Sequence, residues 1–275
     1  MNFLFYNLTR PTRVSRDTFK LSLTLPPLDM IIMTNLARAA GHQARIFDDA
    51  VDHPDILPAL VSWADWIVVQ TTHYHMWQCP SANWPRLVPV LRSLPLHKLI
   101  ICGLQPTLFP EPALQQSGAR AAIRQEPETV LAEFLKQQDW AATPGVSRLE
   151  NGYVVDNPPP RLLHMNDLVV KDYDVDIAKY SYFLLGRRAG IFEASRGCPW
   201  RCTFCNQEMF GHTYRRKDPA LFAAEVDAAV KKTDMRCAYF FDLEFTLSKR
   251  HTLEICEQLR RRGIPVSYTH LTLPT

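Results

Sequence analysis

Hydrophobic positions change their period several times along this chain, and those changes predict its elements. Apolar runs of strand length fall at residues 3–6, 44–47, 66–69, 99–102 and 121–124. Stretches of helical spacing lie between them. In residues 27–40 the apolar positions Leu28, Ile31, Ile32, Leu36 and Ala39 recur at helical intervals, and Gly41 stands where a C-terminal cap belongs. Residues 54–62, 84–94 and 111–117 predict further helices. Residues 127–138 place Pro127 in a first turn, with Val130, Leu131, Phe134 and Leu135 inward. Five strands alternating with helices predict an α/β fold, a doubly wound parallel sheet of Rossmann-like type over residues 1–140. Ligands of such sheets bind beyond the strand carboxyl ends, here near residues 7–11, 48–51, 71–79 and 103–110.

The alternation then breaks. Thr143-Pro144-Gly145 and Pro158-Pro159-Pro160 bracket a small hairpin with its turn at Asn151-Gly152, so residues 141–188 read as hairpin and linker. A second α/β pattern begins with a strand at residues 191–194. Asp218-Pro219 opens a helix with Phe222, Val226, Ala229 and Val230 on one face, residues 238–241 form another strand, and Ser248 caps a helix with Leu253, Cys256 and Leu259 inward. Strand, helix, strand, helix is the opening of a (β/α) barrel of the TIM type, here partial, over residues 189–265. Function in that fold gathers at the C-terminal ends of the strands. A complete eight-unit barrel takes about 250 residues, so the stretch holds two units and the start of a third. Residues 266–275 resemble translated adapter sequence and are expected to be a non-native tail.

Composition changes little in this picture. Hydrophobic residues make up 47% of the 275, enough for a sizeable core. No apolar run approaches the roughly 20 residues that cross a bilayer, so no transmembrane segment is expected. Net charge is +3, and no basic stripe interleaves with aromatics in the way that suits nucleic acid. The basic clusters Arg187-Arg188, Arg215-Arg216-Lys217 and Arg260-Arg261-Arg262 read as solvated faces and helix ends. Seven cysteines without a leader peptide point to a reducing compartment, hence a cytoplasmic protein, and to thiolates used as ligands.

Three of those cysteines stand together in Ser195-Arg196-Gly197-Cys198-Pro199-Trp200-Arg201-Cys202-Thr203-Phe204-Cys205. On one loop their sulfurs can converge on a single metal centre. Iron–sulfur cubanes take four thiolates, so three leave one iron open for chemistry. Arg196 and Arg201 are placed to offset the negative charge of such a cluster, or simply to be solvated. Two alternatives belong to other classes. One is a zinc-stabilised binding module, with His212 joining the three cysteines. The other is a non-catalytic iron–sulfur electron carrier, with Cys237 as the fourth ligand. Cys79, Cys102, Cys237 and Cys256 otherwise read as buried or incidental thiols.

The stretch Cys198-x3-Cys202-x-Phe204-Cys205 resembles the signature of the radical S-adenosylmethionine superfamily. The resemblance implies a 4Fe–4S cluster on Cys198, Cys202 and Cys205 whose open iron chelates S-adenosylmethionine. It also implies Phe204 near the adenine, and Asp242 or Glu244, just after the second strand, near the methionine ammonium. The usual Gly-Gly-Glu is absent there. Implied partners are a small-molecule or lipid-like organic substrate, methylated, cyclised or rearranged by radical chemistry, and an electron donor such as flavodoxin or ferredoxin. Pro26-Pro27-Leu28 and the stretch from Ala40-Gly41-His42 to Phe47-Asp48 are similar to the cobalamin-binding domain of one subgroup, whose glycine loop is represented by Cys102-Gly103-Leu104-Gln105-Pro106-Thr107. No Asp-x-His-x-x-Gly occurs, so any cobalamin would lack a protein histidine on cobalt. His73, His75 and Cys79 cluster on the expected ligand face, whereas His42 reads as a partner of a helix dipole.

Overall fold

The computed structural model describes residues 1–8, 24–74, 77, 84–182 and 186–264. Expectations that rest on His75, Cys79 and the tail 266–275 lie outside the described residues. Strand β1 (Asn2–Asn7) is followed by α1 (Leu28–Ala39), β2 (Gln43–Asp48), α2 (Leu57–Trp63), β3 (Trp66–Gln70), α3 (Trp84–Ser93) and β4 (Leu99–Cys102). Two short helices, α4 (Leu104–Leu108) and α5 (Pro110–Ser117), lead to β5 (Ala121–Ile123) and α6 (Pro127–Gln137). Strands β1 to β5 are parallel in the order β2-β1-β3-β4-β5, the doubly wound arrangement. The order reverses between β1 and β3, so the crevice at which such sheets bind ligands opens there.

Alternation along each strand builds the two layers. Phe3, Phe5, Val68 and Ile100 pack with α1 and α6 on one face. Leu4, Tyr6, Ile67, Val69 and Ile101 pack with α3 and α5 on the other. Both faces are covered, which is why these strands read as continuous apolar runs. Helix α1 is buried on more than one side: Met30, Met33 and Ala37 are enclosed with Leu28, Ile31 and Ile32, while Ala39, expected inward, is exposed.

The hairpin forms where expected, from β6 (Val146–Glu150) and β7 (Tyr153–Asp156). Its turn residues Asn151 and Gly152 both have positive φ, 52° and 85°, as the tight hairpin turn requires. It does not stand apart. β6 pairs antiparallel with β5 and extends the sheet to seven strands. The chain then lies along the molecule, burying Met165, Leu168, Val170, Tyr173 and Ile177, and reaches the small pair β8 (Ser181–Tyr182) and β9 (Gly186–Arg187).

The second pattern begins with β10 (Ala189–Phe192), then β11 (Ser195–Arg196), which pairs antiparallel with β12 (Arg215–Arg216). Helix α7 (Pro219–Thr233), strand β13 (Cys237–Phe240) and helix α8 (Lys249–Arg261) follow. β10 and β13 are parallel neighbours, so strand–helix–strand is realised, but the described residues form two such strands and no closed barrel. In α8 the inward face is His251, Ile255 and Leu259, one residue every turn. Leu253 and Cys256, expected inward, point to solvent because they lie off that face. One core joins the two halves: Leu28, Ile31 and Leu104 of the first pack with Ile191, Phe192, Phe210 and Phe222 of the second.

Candidate functional site

The cysteine loop occupies residues 197–214, closed at its base by the β11–β12 pair. Gly197 makes that closure possible. Its φ is +76°, and a Cβ there would fall 1.8 Å from the Thr213 carbonyl oxygen, so a side chain is excluded. Cys198 is buried, Cys205 half-buried and Cys202 exposed, and all three thiols are free of disulfides. The Cys205 N–H donates to the Cys202 carbonyl at 3.1 Å, which forms a tight turn between those two. The far side of the loop folds back: Gln207 Nε2 donates to the Trp200 carbonyl at 2.8 Å, and Met209 and Phe210 are buried.

The tip stands in solvent, with Trp200 60% and Phe204 84% exposed and Arg201 exposed beside them. Among the described residues no three His, Cys, Asp or Glu side chains are drawn together as a ligand set. The donor set itself fits a cluster: three thiols on one short loop, none of them in a disulfide. Structural metal sites commonly complete their geometry only as the metal binds.

Arg196 is not where its expected role would put it. It is 1% exposed, and its guanidinium meets three carboxylates. Nε donates to Glu193 at 2.8 Å, Nη1 to Glu126 at 2.9 Å, and Nη2 to Glu128 at 2.7 Å. The rings of Tyr74 and Phe210, packed edge to face against each other, lie beside it with their centroids 5.7 and 5.4 Å from the guanidinium carbon. Tyr74 also donates its hydroxyl to Glu193, and Arg215 joins Glu126. Burial works to raise Glu193, but Arg196 and then Lys217 hold its carboxyl below the usual range. At Glu128 burial prevails over Arg196 and the carboxyl is raised.

The cluster Arg215-Arg216-Lys217 needs a matching correction. Only Arg216 is exposed. Lys217 is 1% exposed, and its ammonium sits 2.8 Å from Glu225 of α7. Sequence reasoning missed the acceptors. The usable signal was a charge inside an apolar strand at Ile191-Phe192-Glu193-Ala194, and two glutamates flanking Pro127 right after a buried strand.

Asp242 and Glu244 follow β13, as expected, but both carboxylates have local partners. Ser195 Oγ donates to Asp242 at 2.5 Å and the Ala194 N–H at 3.2 Å, while burial pushes the Asp242 carboxyl up to about 7. Glu244 accepts from Thr246 through both its backbone N–H and hydroxyl.

On the sheet side, the strand carboxyl ends carry Asn7, Asp48, Gln70 and Cys102, all buried. Asn7 ends β1 beside the crevice, and its side chain faces the buried carboxylate of Asp48 at the end of β2. Gly103 has φ +114°, and a Cβ there would meet Gln70 and Thr71 side chains at 2.8 and 2.9 Å. Thr71 and Gln70 therefore close tightly over the start of α4. Gln70 donates to the buried Asp29 of α1, whose carboxyl burial pushes up to about 8. His73 binds the Leu25 carbonyl through Nε2 at 3.2 Å. His42 lies at the opposite, amino end of the sheet, 3.3 Å from the Met1 ammonium, and so faces away from the ligand end.

No protein-family model matches the chain. It is 27% identical to the anaerobic magnesium-protoporphyrin IX monomethyl ester cyclase of Rubrivivax gelatinosus over 258 residues, 88% of this chain and 45% of that protein. It is 26% identical to the hopanoid C-3 methylase of Methylococcus capsulatus over 263 residues, 90% of this chain and 48% of that one. The chain thus spans about half the length of the curated relatives it matches. Among solved structures, the radical S-adenosylmethionine methyltransferase TsrM from Kitasatospora setae superposes with a TM-score of 0.70 at 18% identity, covering 96% of this chain and 52% of that one. The cobalamin-dependent S-adenosylmethionine radical enzyme OxsB gives 0.68 at 18%, covering 94% and 37%. The chain is a homologue of cyclase and methylase enzymes, and its fold is that of the cobalamin-dependent radical S-adenosylmethionine enzymes.

Proposed function

We propose that this chain carries the cofactor-binding part of an enzyme that methylates or cyclises an organic substrate by radical S-adenosylmethionine chemistry. The observation that carries the reading is the Cys198, Cys202 and Cys205 loop, set after a parallel strand and seated against the carboxyl edge of a doubly wound sheet. Cys198, Cys202 and Cys205 would hold the 4Fe–4S cluster. The chemistry supplied by a bound cluster is one-electron reductive cleavage of S-adenosylmethionine. Phe204, exposed at the tip, is available to cover an adenine ring. Asp242 holds the strand before the loop through Ser195, so Glu244, nearer solvent, is better placed to meet the methionine ammonium.

The sheet fits cobalamin bound without a protein histidine on cobalt. Its crevice presents the buried polar ends of β1 and β2, Asn7 and Asp48, and the histidines 42 and 73 are respectively at the wrong edge and turned to a backbone carbonyl. A large, mostly apolar ring substrate suits the relatives, one named for a porphyrin ester and one for a hopanoid. A reductant such as flavodoxin or ferredoxin and a cytoplasmic setting complete the proposal. Among the described residues no helix is long and apolar enough to cross a membrane.

Anaerobic reconstitution of the chain with iron and sulfide tests the reading. Iron–sulfur absorbance and a reduced electron paramagnetic resonance signal that S-adenosylmethionine perturbs would support it. Tight zinc without iron, or a cluster indifferent to S-adenosylmethionine, would favour the binding module or the electron carrier. Retention of hydroxocobalamin on gel filtration, with a cobalt spectrum unchanged by His42→Ala, tests the sheet.

A further inference from the structure

We propose that the two-residue strand β11 is a mount that positions the cysteine loop between both halves of the molecule, with Arg196 and Ser195 as positioning residues on its opposite sides. The inference rests on the reading above only for its spectroscopic arm. Successive residues of a strand point to opposite faces. Here one face sends Ser195 to Asp242 at the end of β13, and the other sends Arg196 to Glu126 and Glu128 at the start of α6. Ser195 therefore ties the loop to the barrel-type strands, and Arg196 ties it to the sheet domain. Cys198 follows two residues later, so little slack separates the mount from the first thiol.

The Arg196 side is built for position. A guanidinium offers N–H donors in a fixed plane, and this one reaches three carboxylates at two places: Glu193 in the link between β10 and β11, and Glu126 and Glu128 at the cap and first turn of α6. Tyr74 from the β3 loop and Phe210 from the cysteine loop, edge to face with each other, both lie against that guanidinium. A lysine would keep the charge but lose the plane. Isolating so many charges from water is expensive, and apolar packing would give equal or better stability, so a directional role accounts for the arrangement. The contacts join the seat of the loop to the first turn of α6, 68 to 70 residues earlier in the chain.

Glu128→Gln tests the mount from the far side. It keeps the shape and one acceptor oxygen, lies outside the cysteine loop, and removes the charge that Arg196 grips. Hydrogen–deuterium exchange on the full chain without cofactors should rise about tenfold at residues 128–130 and 195–197 together, while α8 stays at its wild-type rate. Ser195→Ala should loosen 194–197 with β13 and leave α6 unchanged. After reconstitution with iron and sulfide, Glu128→Gln should keep wild-type iron content yet change the electron paramagnetic resonance shift caused by S-adenosylmethionine. Uniform acceleration across the chain, including α8, would mean general destabilisation and overturn the proposal. So would exchange unchanged at 195–197. If the wild-type chain forms no cluster, the proposed function fails, and the exchange experiment still decides the mount.

Discussion

At its base the cysteine loop is enclosed. Ser195 and Arg196 are buried, and their polar atoms are matched to Asp242, Glu126, Glu128 and Glu193. A few residues on, Trp200, Arg201, Cys202 and Phe204 stand in solvent, and among the described residues their side chains have no such partners. On the function proposed above, the two regions divide the labour of the loop. The base fixes where the thiols are offered and must be complete beforehand, because buried charges without partners destabilise a fold strongly. The tip is left to be organised by what it binds, since ligand side chains and metal assemble together. Rigidity and reactivity are separated along a single short loop.

The contrast breaks most completely at the tip. Cys202→Ala should abolish the absorbance of the reconstituted cluster while leaving unfolding in urea within about 0.5 kcal/mol of wild type, because an exposed side chain contributes little to stability. At the base the effects invert. Arg196→Met should cost about 3–5 kcal/mol in the same urea titration, since it takes from Glu128 its cation and leaves Glu126 with Arg215 alone and Glu193 with the more distant Lys217.

A third change sharpens the contrast through pH. Asp29 sits behind Glu128, faces Gln70 and Cys102, and has its carboxyl pushed up by burial to about 8. The folded chain therefore holds a proton there that the unfolded chain releases near pH 4. Stability must fall as pH rises from about 4 to about 8 and level off above. Asp29→Asn should remove that slope, with a gain on the order of a few kcal/mol at pH 8 relative to pH 5 in thermal or urea unfolding. The smallest effect belongs to Cys256→Ser on the outer face of α8, which should alter neither the cluster nor stability beyond about 0.5 kcal/mol.

Periodicity carried most of the fold. The five parallel strands and their helices follow from apolar runs that need burial on both faces, and the hairpin follows from Asn151-Gly152, whose φ values few other pairs adopt. What the pattern could not supply was pairing across long separations. Nothing local says that the hairpin would extend the sheet through β5, or that Lys217 would be drawn inward by Glu225. The helix α4 was hidden because its short apolar stretch lies in what spacing marks as a ligand loop. At the candidate site local spacing marks the three cysteines, and the cluster proposed on them is what reconstitution tests. Arg196 was not legible: a lone arginine beside cysteines looks the same whether it faces solvent or three carboxylates far away in sequence.

The order in which those partners occur has a consequence for synthesis. Glu126 and Glu128 leave the ribosome about 70 residues before Arg196. At about 5–20 residues per second, the sheet domain has on the order of ten seconds to form before its counter-charge exists. During that interval the pocket at the start of α6 is an acidic notch open to water, and the nascent chain gains nothing by closing it. If the sheet domain folds as it is made, residues 193–196 meet a surface already shaped when they emerge. The cysteine loop is thus templated by the domain made first, and a sheet that misfolded would leave the arginine with no seat and the thiols adrift.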